Sequence, residues 1–90
     1  MVVSGRQIRA ARALLDLSQI DLADLAKVGR ETISDLEIGK DVRTSTLMAA
    51  VDALHAKGIE FVNGRNGEEG VVLHAPAKKP KKRASRKASR

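Results

Sequence analysis

Apolar residues recur at three- and four-residue spacing as far as Gly58 and then give way to short β-prone runs, so the pattern predicts helices followed by a hairpin. Ile8, Ala11 and Leu15 share one face of a helix over about 5–16, with Ser4 able to cap its start. Arg12 intrudes on that face. Ser18 and Asp21 form an S-x-x-D capping pattern, so a second helix starts at Gln19 and carries Leu22, Leu25 and Ala26 as a narrow apolar stripe over roughly two turns. After Lys27-Val28-Gly29, a third run opens with Arg30-Glu31-Thr32 and keeps only Ile33 and Leu36 apolar before Gly39 stops it. Such a helix buries one edge and shows the rest.

Thr44 or Ser45 can cap a longer helix running to about Lys57, with Leu47, Val51 and Leu54 inward and Gly58 ending it. Ile59-Glu60-Phe61-Val62 and Val71-Val72-Leu73-His74, separated by the glycine- and asparagine-rich NGRNGEEG, read as a hairpin. An isolated two-stranded hairpin is marginal in water. It must therefore fold back on its own helices or pair with a second copy across a two-fold axis, which would make a dimer. From Ala75 the chain turns to APAKKPKKRASRKASR, which has no apolar anchor and is expected to be disordered when free. The expected division is a helical domain over 1–58, a hairpin and candidate dimerisation element over 59–75, and a basic tail over 76–90.

The segment 17–40 resembles the helix-turn-helix of phage-repressor and Cro-like proteins, the Xre type. The residues that carry the resemblance are Ser18-Gln19 at the start of the supporting helix, Leu22-Ala23 in its middle, Val28 in the turn, Ile33 and Leu36 anchoring the second helix, and Glu37-Ile38-Gly39-Lys40 closing it. It extends over about residues 5–58. It implies a mainly α fold: a small lambda-repressor-like domain of about four helices, followed here by a short C-terminal β-hairpin and the disordered basic tail. Many family members place a fifth helix where this chain has the hairpin.

Three positions depart from the family pattern. Lys27 stands where a turn glycine is usual, and a non-glycine residue in a left-handed conformation costs roughly 1–2 kcal/mol. Gly29 takes the usual Ser or Thr cap position, and Ile38 replaces a common Asn, which puts in question any phosphate contact of that side chain. The family also pairs an arginine at the place of Arg12 with the glutamate at Glu37, locking the first helix onto the third; the alternative is a solvated arginine.

Charge changes the picture once it is divided. The formal charge is +6, yet residues 1–77 carry nine Lys or Arg against eleven Asp or Glu, and residues 78–90 carry eight basic residues and no acid. Attraction to a polyanion therefore comes mainly from Lys78, Lys79, Lys81, Lys82, Arg83, Arg86, Lys87 and Arg90. The folded part must rely on local placement of Arg6, Arg9, Arg30, Lys40 and Arg43. A solvated, solubilising tail is the alternative to nonspecific phosphate binding.

Catalytic and metal chemistry find no foothold. His55 and His74 have no Cys and no H-E-x-x-H partner, NGRNGEEG lacks the G-K-[ST] ending of a phosphate cradle, and no G-x-S-x-G elbow or acid–base pair stands out. No enzyme, metal or cofactor is expected. The absence of cysteine, of an apolar run near the ~20 residues that cross a bilayer, and of a signal-peptide core points to a soluble cytoplasmic protein, associated with the nucleoid. With Phe61 as the single aromatic, base stacking on a single strand is disfavoured and duplex DNA is the better partner.

Carried over by position, the second helix of the motif would enter the major groove with Arg30, Glu31, Ser34 and Asp35 near base edges and Thr32 nearer the backbone. Arg30 can donate to guanine O6 and N7, and Glu31 or Asp35 can accept from cytosine N4. The alternative for the two acids is that they solvate the helix and hold Arg30. Gln19, Lys40 and Arg43 would meet phosphates, with Gln19 also able to brace Arg30. The expected function is a sequence-specific transcriptional regulator, a repressor acting as a homodimer on an inverted-repeat operator. Two rivals remain at this point: an antitoxin or other module that binds a partner protein, with DNA secondary, and a nucleoid-type protein that coats any duplex.

Overall fold

Two reciprocal side-chain caps start the fold in the computed structural model, which describes residues 3–74. The basic residues assigned to the tail lie outside the described residues. At the head of α1 (Gly5–Leu14), the Gln7 main-chain N–H donates to Ser4 Oγ at 3.2 Å and the Ser4 N–H to Gln7 Oε1 at 3.0 Å. At the head of α2 (Gln19–Ala26), Ser18 and Asp21 make the same exchange, both bonds 3.0 Å. α3 (Arg30–Glu37) starts at Gly29 with no side-chain cap, and Gly39, at φ +86°, ends its course.

Several boundaries differ from the sequence pattern, each for a local reason. α1 stops at Leu14 because Asp16 turns to φ 56°, a left-handed conformation that aspartate tolerates better than most residues. α4 (Thr44–Ala56) is capped by neither Thr44 nor Ser45. Arg43 occupies the cap in extended backbone, and its carbonyl accepts from both Thr46 and Leu47 at 3.0 Å, so the helix begins one residue early. In α2 the buried set is Leu22, Ala23 and Ala26, while Leu25 is 41 % exposed; the stripe lies one position round the helix from the expected one.

The hairpin is β1 (Ile59–Asn63) and β2 (Glu69–Leu73), antiparallel with Ile59 opposite Leu73, Phe61 opposite Val71 and Asn63 opposite Glu69. β2 starts two residues before the apolar run because Glu69 and Gly70 join the ladder. Ile59 and Phe61 enter the same core as the helices, beside Ile8, Leu22, Ile33, Val51 and Leu54. Each fully buried Ile or Leu contributes about 1.5–3 kcal/mol. Gln7, also buried, seats the hairpin: its Nε2 donates to Val62 O at 3.1 Å and Gly70 O at 3.0 Å. At the opposite end of α1's first turn, Gly5 lies so close to α3 that a Cβ there would collide with the carbonyl oxygens of Leu36 and Glu37.

Lys27 holds the tight turn between α2 and α3 at φ 60°, ψ 45°. Replacing it by glycine removes the left-handed penalty and adds some unfolded-state entropy, so Lys27→Gly is expected to raise stability by about 1 kcal/mol. A thermal melt followed by helical circular dichroism checks this; a lower midpoint would show that the lysine side chain contributes more than the strain costs.

Candidate functional site

α3 is anchored along one edge and open along the other. Ile33, Leu36 and Glu37 are buried, Arg30 and Glu31 are exposed, and Thr32, Ser34 and Asp35 are half-buried. The interleaving follows from the 3.6-residue period, since anchors at 33, 36 and 37 leave 31, 34 and 35 on the outward side. Arg30, one turn before Ile33, is open because it begins the helix. Glu31 sits in the first turn, where a negative charge complements the helix dipole.

The anchor is ionic as well as apolar. Arg12 Nε donates to Glu37 Oε2 at 2.7 Å and Nη2 to Oε1 at 3.0 Å, a two-pronged pair joining α1 to the end of α3. The Glu37 side chain is 2 % exposed. The remaining donor of Arg12, Nη1, reaches Leu17 O at 3.0 Å and ties down the α1–α2 connection. Gln19 Nε2 donates to Glu37 Oε1 at 3.2 Å, and Gln19 Oε1 accepts from Arg30 Nη1 at 3.4 Å. One run of side chains thus leads from Arg12 through Glu37 and Gln19 to the tip of α3.

Burial alone would raise the Glu37 pKa. Hydrogen bonds from Arg12 and Gln19, with the charges of Arg12 and Arg9, outweigh it and hold the carboxyl below its ordinary value of 4.5. Asp21 is likewise held low, by its hydrogen bonds with the main chain and side chain of Ser18.

The other predicted positions fall around α3. Lys40 lies just past its C-terminus, with Nζ 3.7 Å from Asp35 Oδ1, a loose and largely exposed pair. Arg43 is exposed at the head of α4. Arg6 is spoken for: its Nε and Nη2 donate to Glu69 Oε1 and Oε2 at 2.9 and 3.0 Å, and Ser4 Oγ also donates to Glu69 Oε1 at 2.9 Å. Ile38 is 62 % exposed on the rim of a groove shared with Arg9, Lys40 and Val42.

Gln7 and Glu69 were not singled out from sequence. The S-x-x-Q spacing of Ser4 and Gln7 carried a local signal for the first; nothing local marks a contact across more than sixty residues. His55 packs its ring against Phe61, centroids 5.6 Å apart, and His74 Nε2 lies 2.7 Å from Glu60 Oε1. Among the described residues, no group of three or more His, Cys, Asp and Glu is placed to hold a metal ion, and no helix is long and apolar enough to cross a membrane.

A family model described as helix-turn-helix matches residues 8–61, more than half of the chain. None of the curated proteins compared with the chain matches it.

Removing Arg12 would strand a buried carboxylate, so Arg12→Ala is expected to cost about 3–5 kcal/mol at neutral pH. The pH dependence has a definite sign. Because the folded-state pKa of Glu37 is depressed, its contribution is fully present above 4.5 and is lost as pH falls below that value towards the folded-state pKa. In Arg12→Ala burial is no longer offset, so protonation should relieve the variant while it weakens the parent. Urea titrations at neutral and acid pH should therefore show the difference shrinking with acidity; a constant difference would mean that the pair contributes no ionic stabilisation.

Proposed function

The chain belongs to the Xre/lambda-repressor-like helix-turn-helix family, a family of DNA-binding regulatory domains rather than enzymes, and from that premise we propose that it is a repressor binding an inverted-repeat operator as a homodimer. The observation that carries this reading is the outward face of α3. Arg30 and Glu31 stand in solvent and Ser34 and Asp35 are partly open, while Ile33, Leu36 and Glu37 hold the helix from behind. A rigid helix with a free polar edge is what the major groove accepts.

In this reading Arg30 donates to guanine and Glu31 or Asp35 accepts from cytosine, each good contact discriminating by about 1–3 kcal/mol. Gln19 orients Arg30 through its Oε1 and lies at the N-terminus of α2, where main-chain N–H groups and the helix dipole favour a phosphate. Thr32, Lys40 and Arg43 meet flanking phosphates. Lys40 would exchange Asp35 for phosphate on binding, a change made easy by the long 3.7 Å separation. The eight cations of residues 78–90 supply attraction without sequence preference. A compact dimer lying over a promoter blocks polymerase without a dedicated activating surface, and its place of work is the cytoplasmic chromosome.

Selection of bound duplexes from a random pool tests the reading. The expected product is an inverted repeat with half-sites about 34 Å apart, whose guanine preference disappears in Arg30→Ala. Equal affinity for every duplex would overturn it. Deleting residues 78–90 should flatten the dependence of log K on log salt while leaving the selected sequence unchanged; a truncated chain with no sequence preference would contradict the division between reading helix and basic tail.

A further inference from the structure

We propose that β2 is a self-pairing edge: two copies of the chain join their β2 strands antiparallel about a two-fold axis through Val71, forming one four-stranded sheet. This deepens the homodimer proposed above and rests on it. The ladder itself supplies the geometry. Gly64 N–H donates to Glu68 O and His74 N–H to Gly58 O, both at 2.8 Å. With Ile59 opposite Leu73, the alternation of an antiparallel pair makes 58 and 74, 60 and 72, 62 and 70, and 64 and 68 the hydrogen-bonded partners. Residues 69, 71 and 73 therefore turn their main-chain N–H and C=O groups away from β1, and no described residue bonds to them.

An open edge of this kind is a template for another strand. The usual safeguards are missing: β2 contains neither Lys nor Pro, and the one charge on it, Glu69, is already held by Arg6. Val72 and Leu73 are about two-fifths exposed, whereas Ile59 and Phe61 on the other strand are buried.

A second copy fits the spacing of the edge. Pairing about Val71 sets Val71 against its own counterpart and Glu69 against Leu73 of the second copy, so every free N–H and C=O of residues 69, 71 and 73 finds a partner at once. Moving the axis by one residue leaves fewer partners within the strand: about Gly70 only 69 and 71 pair with each other and Leu73 runs past the end of β2, and about Val72 only 71 and 73 pair. No like charges meet across the axis. On the outer face Val62, Gly70 and Val72 of the second copy fall in one row, and the glycine leaves room between the two exposed valines.

The chain has no cysteine, which allows the register to be tested with single substitutions. Hydrogen-bonded antiparallel partners have Cα atoms about 5.5 Å apart, within disulfide range. Val71→Cys should therefore form an intermolecular disulfide with oxidised glutathione, and Leu73→Cys, which faces Glu69 instead of itself, should not. The parent chain should sediment as a dimer, and Val71→Pro, which removes an N–H that β1 does not use, as a monomer with unchanged helical circular dichroism. A monomeric parent chain, a dimer in which Val71→Cys fails to cross-link, or equal cross-linking at position 73 would overturn the interface. Failure of the regulator reading would look different: the parent chain would select no duplex, whatever its oligomeric state.

Discussion

The pair between Arg12 and Glu37 is the constraint on which the geometry of the domain turns. A carboxylate as buried as Glu37 is tolerable only with full compensation. It takes two hydrogen bonds from Arg12 and one from Gln19. Those partners come from α1 and from the head of α2, so satisfying one charge sets the relation of three helices. Arg12 also holds the Leu17 carbonyl, and Gly5 lets α1 approach the end of α3 closely. The same bonds that relieve the buried charge fix the direction of α3, and Gln19 extends the fixation to Arg30.

The hairpin takes its place through a second buried polar group. Gln7 closes the cap of α1 with its Oε1 and uses its Nε2 on the carbonyls of Val62 and Gly70, one from each strand. A two-stranded ribbon too weak to stand alone is thereby joined to the first turn of the helix that Arg12 orients. Ile59 and Phe61 supply the apolar part of the seat and the Arg6–Glu69 pair its rim.

Elements governed by neighbours in sequence are legible in the sequence itself. Ser18 with Asp21, the stop at Gly39, and the anchors Ile33 and Leu36 all express chemistry within a few residues, whereas the left-handed turn at Lys27 is marked only by the family's usual glycine there. The order of four helices and a hairpin followed from them. Where two surfaces compete for a short helix, periodicity blurs: α2 packs between α3 and α4, so Ala23 is covered and Leu25 is not. The start of α4 escaped because extended backbone at Arg43 caps it without a side-chain bond. Long-range polar contacts were the least visible. Arg12 and Glu37, twenty-five residues apart, were brought together by resemblance to a family and by nothing in their spacing, and the contacts of Gln7 with the hairpin carried no mark at all. The outward residues of α3 are carried over by position from the family motif; the helical period accounts for 31, 34 and 35, and the start of the helix for Arg30.

Along α3, the side chains that keep the domain folded and those that face solvent are different sets, taken in alternation from the same eight residues. Substitutions at 30, 31, 34 or 35 leave the anchors at 33, 36 and 37 untouched, so their effects on stability stay small. Evolution can therefore rewrite the outward set one residue at a time without passing through an unfolded ancestor. A duplicated copy of this domain could diverge in what it recognises while its scaffold stays the same.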